Sequence, residues 1–188
     1  MGVTVPIARK LFNVAEYYRM AEAGILHEDD RVELIEGEIV EMSPIGRRHQ
    51  ACVDRLDRLF NRACGPEVQV RTQGPIRLND LSEPEPDLTL LKLRADFYAS
   101  GHPGPQDVLL VVEVSETSGV YDRDVKVPLY ARTGIPEVWL VRLMDDAIRV
   151  HRHPEKGVYQ EVHEIRRGDT LSPQALPDIR LPVDDILG

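Results

Sequence analysis

"DVLLVVEVS", running from Asp107 to Ser115, is the stretch whose reading decides the fold. Leu109, Leu110, Val111 and Val112 lead directly into Glu113. An apolar run of this length reads as a buried strand. A carboxylate seldom sits inside such a run unless something compensates its lost hydration, so a partner for Glu113 is expected. A second carboxylate, Asp87, stands before the apolar part of "EPEPDLTLL", Glu83 to Leu91. A lysine follows, Lys126, in "YDRDVKVPLYARTG", Tyr121 to Gly134. Two carboxylates at the ends of apolar strands can converge on one hard cation, and an ammonium beside them can position or activate water. Those groups are the minimal equipment for metal-assisted hydrolysis of a phosphodiester.

Working outward, "FNVAEYYRMAEAG" opens a first helix. Asn13 can cap it, Glu16 stands where a capping box wants an acid, Phe12 and Tyr17 can staple its start, and Gly24 stops it. "RVELIEGEIVEM" reads as two short strands turning at Glu36 and Gly37. From Gly46 to Ala63, Cys52, Val53, Leu56, Leu59, Phe60 and Ala63 recur at helical spacing. "EVQVR", "PIRL", "PDLTLL" and "VLLVVEVS" are expected strands. Tyr121 to Arg132 reads as a helix ended by Gly134, with Pro128 requiring a late start near Val125 or a bend. "PEVWLVR", "AIRVHRH" and "GVYQEVHEI" are further strands, and "ASGHPGPQD" is the expected flexible connection. The order predicts an α+β fold with a central mixed sheet flanked by helices, in one domain spanning residues 1–188.

Composition sets limits on function. With 188 residues, 42% of them hydrophobic, the chain can furnish one core. No long apolar stretch or signal-peptide pattern is present, and Cys52 and Cys64 form no CxxC pair, so a reduced cytoplasmic protein without a membrane span is expected. The net charge of −9 argues against tight non-specific binding to nucleic acid. A basic face from Arg47, Arg48, Arg55, Arg58 and Arg62, with Arg71 and Arg77 beyond, is the alternative to a charge-mixed helix surface.

In their order along the chain, "RVELIEGEIVEMSP", "GRRHQ", "PDLTLL", "LLVVEVSETS" and "YDRDVKVPLYARTGIPEVWLV" resemble the Uma-two-type putative restriction endonuclease family, a branch of the PD-(D/E)XK nuclease superfamily. The resemblance runs from about Val14 to Val150. It implies a restriction-endonuclease-like core and a Mg2+- or Mn2+-dependent endonuclease acting on DNA. Asp87 resembles the aspartate of the Pro-Asp element and Glu113 the second metal carboxylate. Val114 would add its main-chain carbonyl as a ligand. Ser115 stands where the usual motif has lysine; in this family that lysine has moved to the next helix, where Lys126 lies. Glu33 matches a hairpin acid able to serve a second metal or its water shell, Gly37 the turn glycine, and His49 a histidine at the start of the second helix. With Arg47 and Arg48, His49 is the expected substrate-side contact.

Each of these residues also has a structural account. Asp87 can begin a strand, Glu113 and Lys126 can form an ion pair, and Glu33 can be solvated among Glu36, Glu38 and Glu41. His151 and His153 are expected on an exposed strand face, and Tyr130 and Trp139 in packing. The alternatives to a DNA endonuclease are a non-catalytic nucleic-acid- or protein-binding module on this fold and a hydrolase of another phosphate ester. A homodimer is expected if both DNA strands are cut, joined by the apolar tail "LPDIRLPVDDILG" or the aromatic first helix; packing within the chain accounts for both segments equally well.

Overall fold

Asn13 behaves as its side chain dictates. In the computed structural model, which describes residues 9–27, 29–116 and 119–188, helix α1 spans Val14–Glu22. The Glu16 amide donates to Asn13 Oδ1 at 2.8 Å and the Asn13 amide to Glu16 Oε2 at 3.0 Å, a reciprocal capping box. Strands β1, Val32–Ile35, and β2, Glu38–Glu41, form the expected hairpin. Glu36 and Gly37 have φ of 50° and 83°, the mirror-image turn whose twist suits a two-residue connection. A Cβ on Gly37 would stand 2.7 Å from the Leu11 Cβ, so the glycine also permits close approach of the preceding chain.

Helix α2, Arg47–Ala63, buries Cys52, Val53, Leu56 and Phe60 along one face. Six strands form the central sheet in chain order: β3, Val68–Thr72; β4, Leu88–Lys92; β5, Val108–Ser115; β6, Glu137–Arg142; β7, Ala147–Glu155; and β8, Val158–Arg166. All neighbours are antiparallel except β5 and β6, which are parallel. A parallel pair requires a crossover, and a helical segment supplies it: α3, Gly119–Tyr121, a π-helical turn, Asp122–Lys126, and α4, Val127–Thr133. Strands β9, Thr170–Leu171, and β10, Leu181–Pro182, pair with each other, and α5, Val183–Leu187, follows.

The sheet is covered on both faces. One core joins α2 and α5 to Leu110, Val112 and Trp139; the other joins α4 and the hairpin to Val111, Val138 and Ile135. Trp139 packs on Phe60 and donates its indole N–H to the buried Glu137 at 2.7 Å. The architecture is therefore α+β with a mixed central sheet, as expected from the order of elements.

Four local expectations need correction. The helical segment around Pro128 starts before Val125, at Gly119: a π-helical turn in which the Val127 amide reaches the Asp122 carbonyl leads into α4, and Pro128 falls in the first turn of α4. "PIRL" is not a strand of the sheet. The Ile76 amide donates to the Pro84 carbonyl at 3.0 Å and the Leu78 amide to the Ser82 carbonyl at 3.0 Å, but Pro84 has no N–H to continue a ladder. The tail is core rather than contact surface: Val183, Ile186 and Leu187 are buried, and Arg55 donates to the Ile186 and Leu187 carbonyls at 2.9 and 2.7 Å. His151 and His153 part company. His151 is buried against Tyr159, while His153 has φ of 55° and an exposed side chain.

The loop "ASGHPGPQD" carries its own bonds, among them Arg77 N–H to the Pro103 carbonyl and Gly104 N–H to Asp107 Oδ2, both at 2.9 Å.

Burial of His151 has a consequence for acid stability. Its Nε2 has no hydrogen-bond partner among the described residues, and burial lowers its pKa from 6.5 to about 4. Because the folded pKa lies below the unfolded one, this contribution is complete above pH 6.5 and disappears as pH falls toward 4. Urea titrations across that window should show a loss of about 3 kcal/mol in the wild type that is largely absent in His151→Phe. Equal acid sensitivity in the two proteins would remove His151 as its source.

Candidate active site

The β4–β5 register places the first two candidate residues. Leu88 pairs with Val112, and the ladder ends there, so Asp87 stands one step out, beside Glu113. The Val114 amide, left without a β4 partner, donates to Asp87 Oδ2 at 2.7 Å. A strand residue directs its N–H and C=O to the same side, so the Val114 carbonyl also faces the Asp87 side. The His49 ring, carried on the first turn of α2, places Nε2 3.1 Å from Asp87 Oδ2. A carboxylate only accepts, which makes Nε2 the donor. That hydrogen bond raises the His49 pKa, against the effect of burial.

From the other layer, Lys126 places Nζ 2.8 Å from Glu113 Oε1 and 3.2 Å from Glu33 Oε2. Tyr130, one helical turn further on, donates its hydroxyl to the same Glu113 Oε1 at 2.6 Å. Glu33, Glu113, Lys126 and Tyr130 are all buried. Burial pushes the Glu113 carboxyl up to about 8, opposed by the Lys126 charge. For Lys126, burial acts downward, but Glu113 and Glu33 outweigh it and hold the ammonium above its ordinary pKa. Tyr130 is likewise raised, by burial and then by Glu113. One ammonium between two buried carboxylates leaves excess negative charge at this point.

Glu33, His49, Asp87, Glu113 and Lys126 line a cavity of about 410 Å³, with Tyr130 behind them outside its lining. Its carboxylates are Glu33, Glu41, Glu85, Asp87, Glu113, Glu116 and Asp122, against Arg31, Lys126 and His49. Two buried polar atoms of lining residues, His49 Nδ1 and the Tyr121 hydroxyl, have no hydrogen-bond partner among the described residues. Asp87 uses only Oδ2 and Glu113 only Oε1. Each thus keeps one oxygen uncommitted among the described residues, and with the Val114 carbonyl these form an all-oxygen donor set. Such a set fits Mg2+ or Mn2+, which take one or two carboxylates and complete their shells with water. No group of three or more His, Cys, Asp or Glu poised around one metal position occurs among the described residues.

Asp87, Glu113, Val114, Lys126, Glu33 and His49 are therefore brought together. Arg47 and Arg48 are not. Arg47 is exposed outside the cavity lining, and Arg48 donates to the Leu143 carbonyl at 3.1 Å. Of the broader basic face, Arg55 holds the tail, Arg71 lies over the Tyr98 ring at 5.3 Å, Arg77 pairs with Asp80 at 3.0 Å, and Arg58 and Arg62 are exposed outside the cavity lining.

Sequence reading missed Tyr130, Glu85 and Asp122. Tyr130 and Asp122 had a signal, since each lies four residues from Lys126 and so shares its helix face. Glu85 sits between Pro84 and Pro86, which hold the backbone extended beside Asp87; burial and then the nearby Glu33 raise its pKa. Ser115 is buried beneath Gly119, where a Cβ would stand 2.9 Å from Ser115 Oγ, so a long side chain at 115 would have no room on that side.

Comparison with known proteins agrees with this architecture. The solved structure titled "Crystal structure of a putative nuclease belonging to DUF820" from Anabaena variabilis superposes with a TM-score of 0.70 at 17% identity, covering 94% of this chain and 97% of that one. That likeness is one of fold. Comparison with curated proteins finds no match. The family model for Uma2, described as "Putative restriction endonuclease", matches residues 14–184. Matched over nearly all its length, this chain belongs to the Uma2 family.

Proposed function

We propose that this chain is a metal-dependent endonuclease that hydrolyses DNA phosphodiester bonds. The observation that carries this reading is the meeting of Asp87 and Glu113, each with one oxygen that accepts no hydrogen bond from the described residues, beside Lys126 in one cavity. A Mg2+ or Mn2+ ion held by Asp87, Glu113 and the Val114 carbonyl would polarise a phosphate oxygen and lower the pKa of a bound water. The Lys126 ammonium has three donors. With Glu113 and Glu33 each engaging one, a third would face the cavity, where it orients the attacking water or stabilises charge developing on the phosphate. His49 and the Val114 amide hold Asp87 in place. Water adds to phosphorus, the bond to the leaving oxygen breaks, and that oxygen takes up a proton.

The charge balance of the cavity supports metal dependence, because an excess of carboxylates repels a phosphodiester until cations neutralise it. The family's description as restriction endonucleases supports DNA as the substrate.

Calorimetry with Mn2+ should register binding to the wild type and near loss of it in Asp87→Ala and Glu113→Ala; unchanged affinity in both variants removes the metal assignment. Lys126→Ala should keep Mn2+ binding largely intact, because the lost hold on Glu113 Oε1 is offset by removal of a competing positive charge, while plasmid cleavage falls by about 100-fold or more. It should also unfold about 3 kcal/mol more easily, since two buried carboxylates lose their counter-charge. Lys126→Arg should not fully restore cleavage, because a planar guanidinium is a poor replacement for a compact charge. Full cleavage by Lys126→Ala would pass the role to another group. Metal binding without cleavage of plasmid, linear or single-stranded DNA in the wild type would favour a non-catalytic module or a different phosphate ester.

Cutting both strands from one site per chain would take two copies. With the tail buried, the α1 face carrying the half-exposed Tyr18 is the remaining candidate contact. Sedimentation with Mg2+ and duplex should then show a dimer, and a monomer at every concentration would point to single-strand nicking.

A further inference from the structure

Tyr130 was expected only to pack. Its ring does so, against the core on the α4 side of the sheet, and its side chain is fully buried. Its hydroxyl has a more specific partner: it donates at 2.6 Å to Glu113 Oε1, the oxygen that also accepts from Lys126 at 2.8 Å. Two donors four residues apart on one helical segment thus converge on a single carboxylate oxygen. No hydrogen bond among the described residues engages Glu113 Oε2, and the Lys126 ammonium is paired with Oε1.

We infer that Tyr130 is a positioning residue which, with Lys126, clamps Oε1 of Glu113 and so commits Oε2 to the cation. The inference rests on the proposed metal site. Its physical basis is conformational. A glutamate side chain has several rotamers and a terminal torsion that exchanges its two oxygens. An ammonium alone is a compact charge on a flexible stem and can follow the carboxylate as it moves. The phenol is different: a rigid ring fixed in the core sets a direction as well as a distance for its hydrogen bond. Together the two donors hold the carboxylate plane, and the cation meets an oxygen already in place. Hydrogen-bond partners of metal ligands commonly set affinity in this way, and removing one typically weakens binding by 10- to 100-fold.

The Lys126 contact gives this role a particular value. Lys126 is shared between Glu113 and Glu33, 2.8 and 3.2 Å away, so its hold on Glu113 is divided. The phenol's hydroxyl proton goes to Glu113 alone. Tyr130 also carries no charge, so it orients the carboxylate without neutralising it and leaves its attraction for a cation largely intact.

The test is Mn2+ calorimetry at one fixed pH on the wild type, Tyr130→Phe and Trp139→Phe, with urea midpoints measured in parallel. Trp139→Phe removes a buried hydrogen bond of similar length, to Glu137 at 2.7 Å, from a residue that does not line the cavity. Both variants should lose stability, but Tyr130→Phe alone should bind Mn2+ about 10- to 100-fold more weakly. If Tyr130→Phe folds poorly, sucrose in all three samples restores the compact state without restoring the hydroxyl. Wild-type affinity in Tyr130→Phe, or an equal loss in Trp139→Phe, overturns the positioning role while leaving the metal site standing. A wild type that takes up no Mn2+ overturns both.

Discussion

A carboxylate inside an apolar strand is the constraint on which the rest of this structure depends. Glu113 follows four aliphatic residues and is almost fully buried, so its hydration has to be replaced by specific partners. An isolated buried carboxylate would simply take up a proton. Lys126 and Tyr130 oppose that by giving Oε1 a charge and a hydrogen bond, while burial still holds the pKa above the ordinary carboxylate range. Glu33 adds a second buried negative charge beside the same ammonium. The cluster is held together, but with less positive charge than its carboxylates require.

The topology brings these groups to one place through a short chain of local causes. The antiparallel β4–β5 register sets Asp87 beside Glu113 at the point where the ladder stops, which frees the Val114 amide to hold Asp87. The parallel β5–β6 pair needs a crossover, and that crossover is the helical segment carrying Lys126 and Tyr130. Within it, the π-helical turn widens the helix just before Pro128, so the chain passes the proline without a break. Lys126 and Tyr130 both end facing Glu113. A proline that looked like an obstacle in the sequence marks the segment where the helix supplies the site.

Much of this was legible in the sequence because its causes are local. A carboxylate directly after four aliphatic residues predicts a partner wherever the chain folds, and the partner exists. The Asn13–Glu16 capping box and the Glu36–Gly37 turn are matters of neighbouring dihedrals and short hydrogen bonds. The failures are tertiary. "PIRL" has the alternation of a strand, and Ile76 and Leu78 are buried as that alternation implies. Its partner segment, however, contains prolines that cannot return a hydrogen bond, which no local window on "PIRL" reveals. Tyr130 presents the same aromatic pattern whether its hydroxyl meets water or Glu113; only the β5–α4 packing distinguishes the two. The arginines of α2 lie within a few helical turns, but a long side chain is captured by whatever acceptor its tertiary neighbours present. For Arg48 and Arg55 those acceptors are main-chain carbonyls.

That dispersal bears on how an acidic chain could handle a polyanion. The cavity is rich in carboxylates, and the arginines read as a basic face are either engaged elsewhere or outside its lining. Attraction for a phosphate then has few sources within the cavity: Arg31, His49, Lys126 as far as Glu113 and Glu33 leave it free, and any cation gathered by Asp87 and Glu113. A divalent ion would do more there than activate water. It would reverse the local potential that otherwise keeps phosphate out. On the proposed function, substrate binding and chemistry are thus tied to the same ion. The geometry of Glu113, set by Lys126 on one side and Tyr130 on the other, governs both.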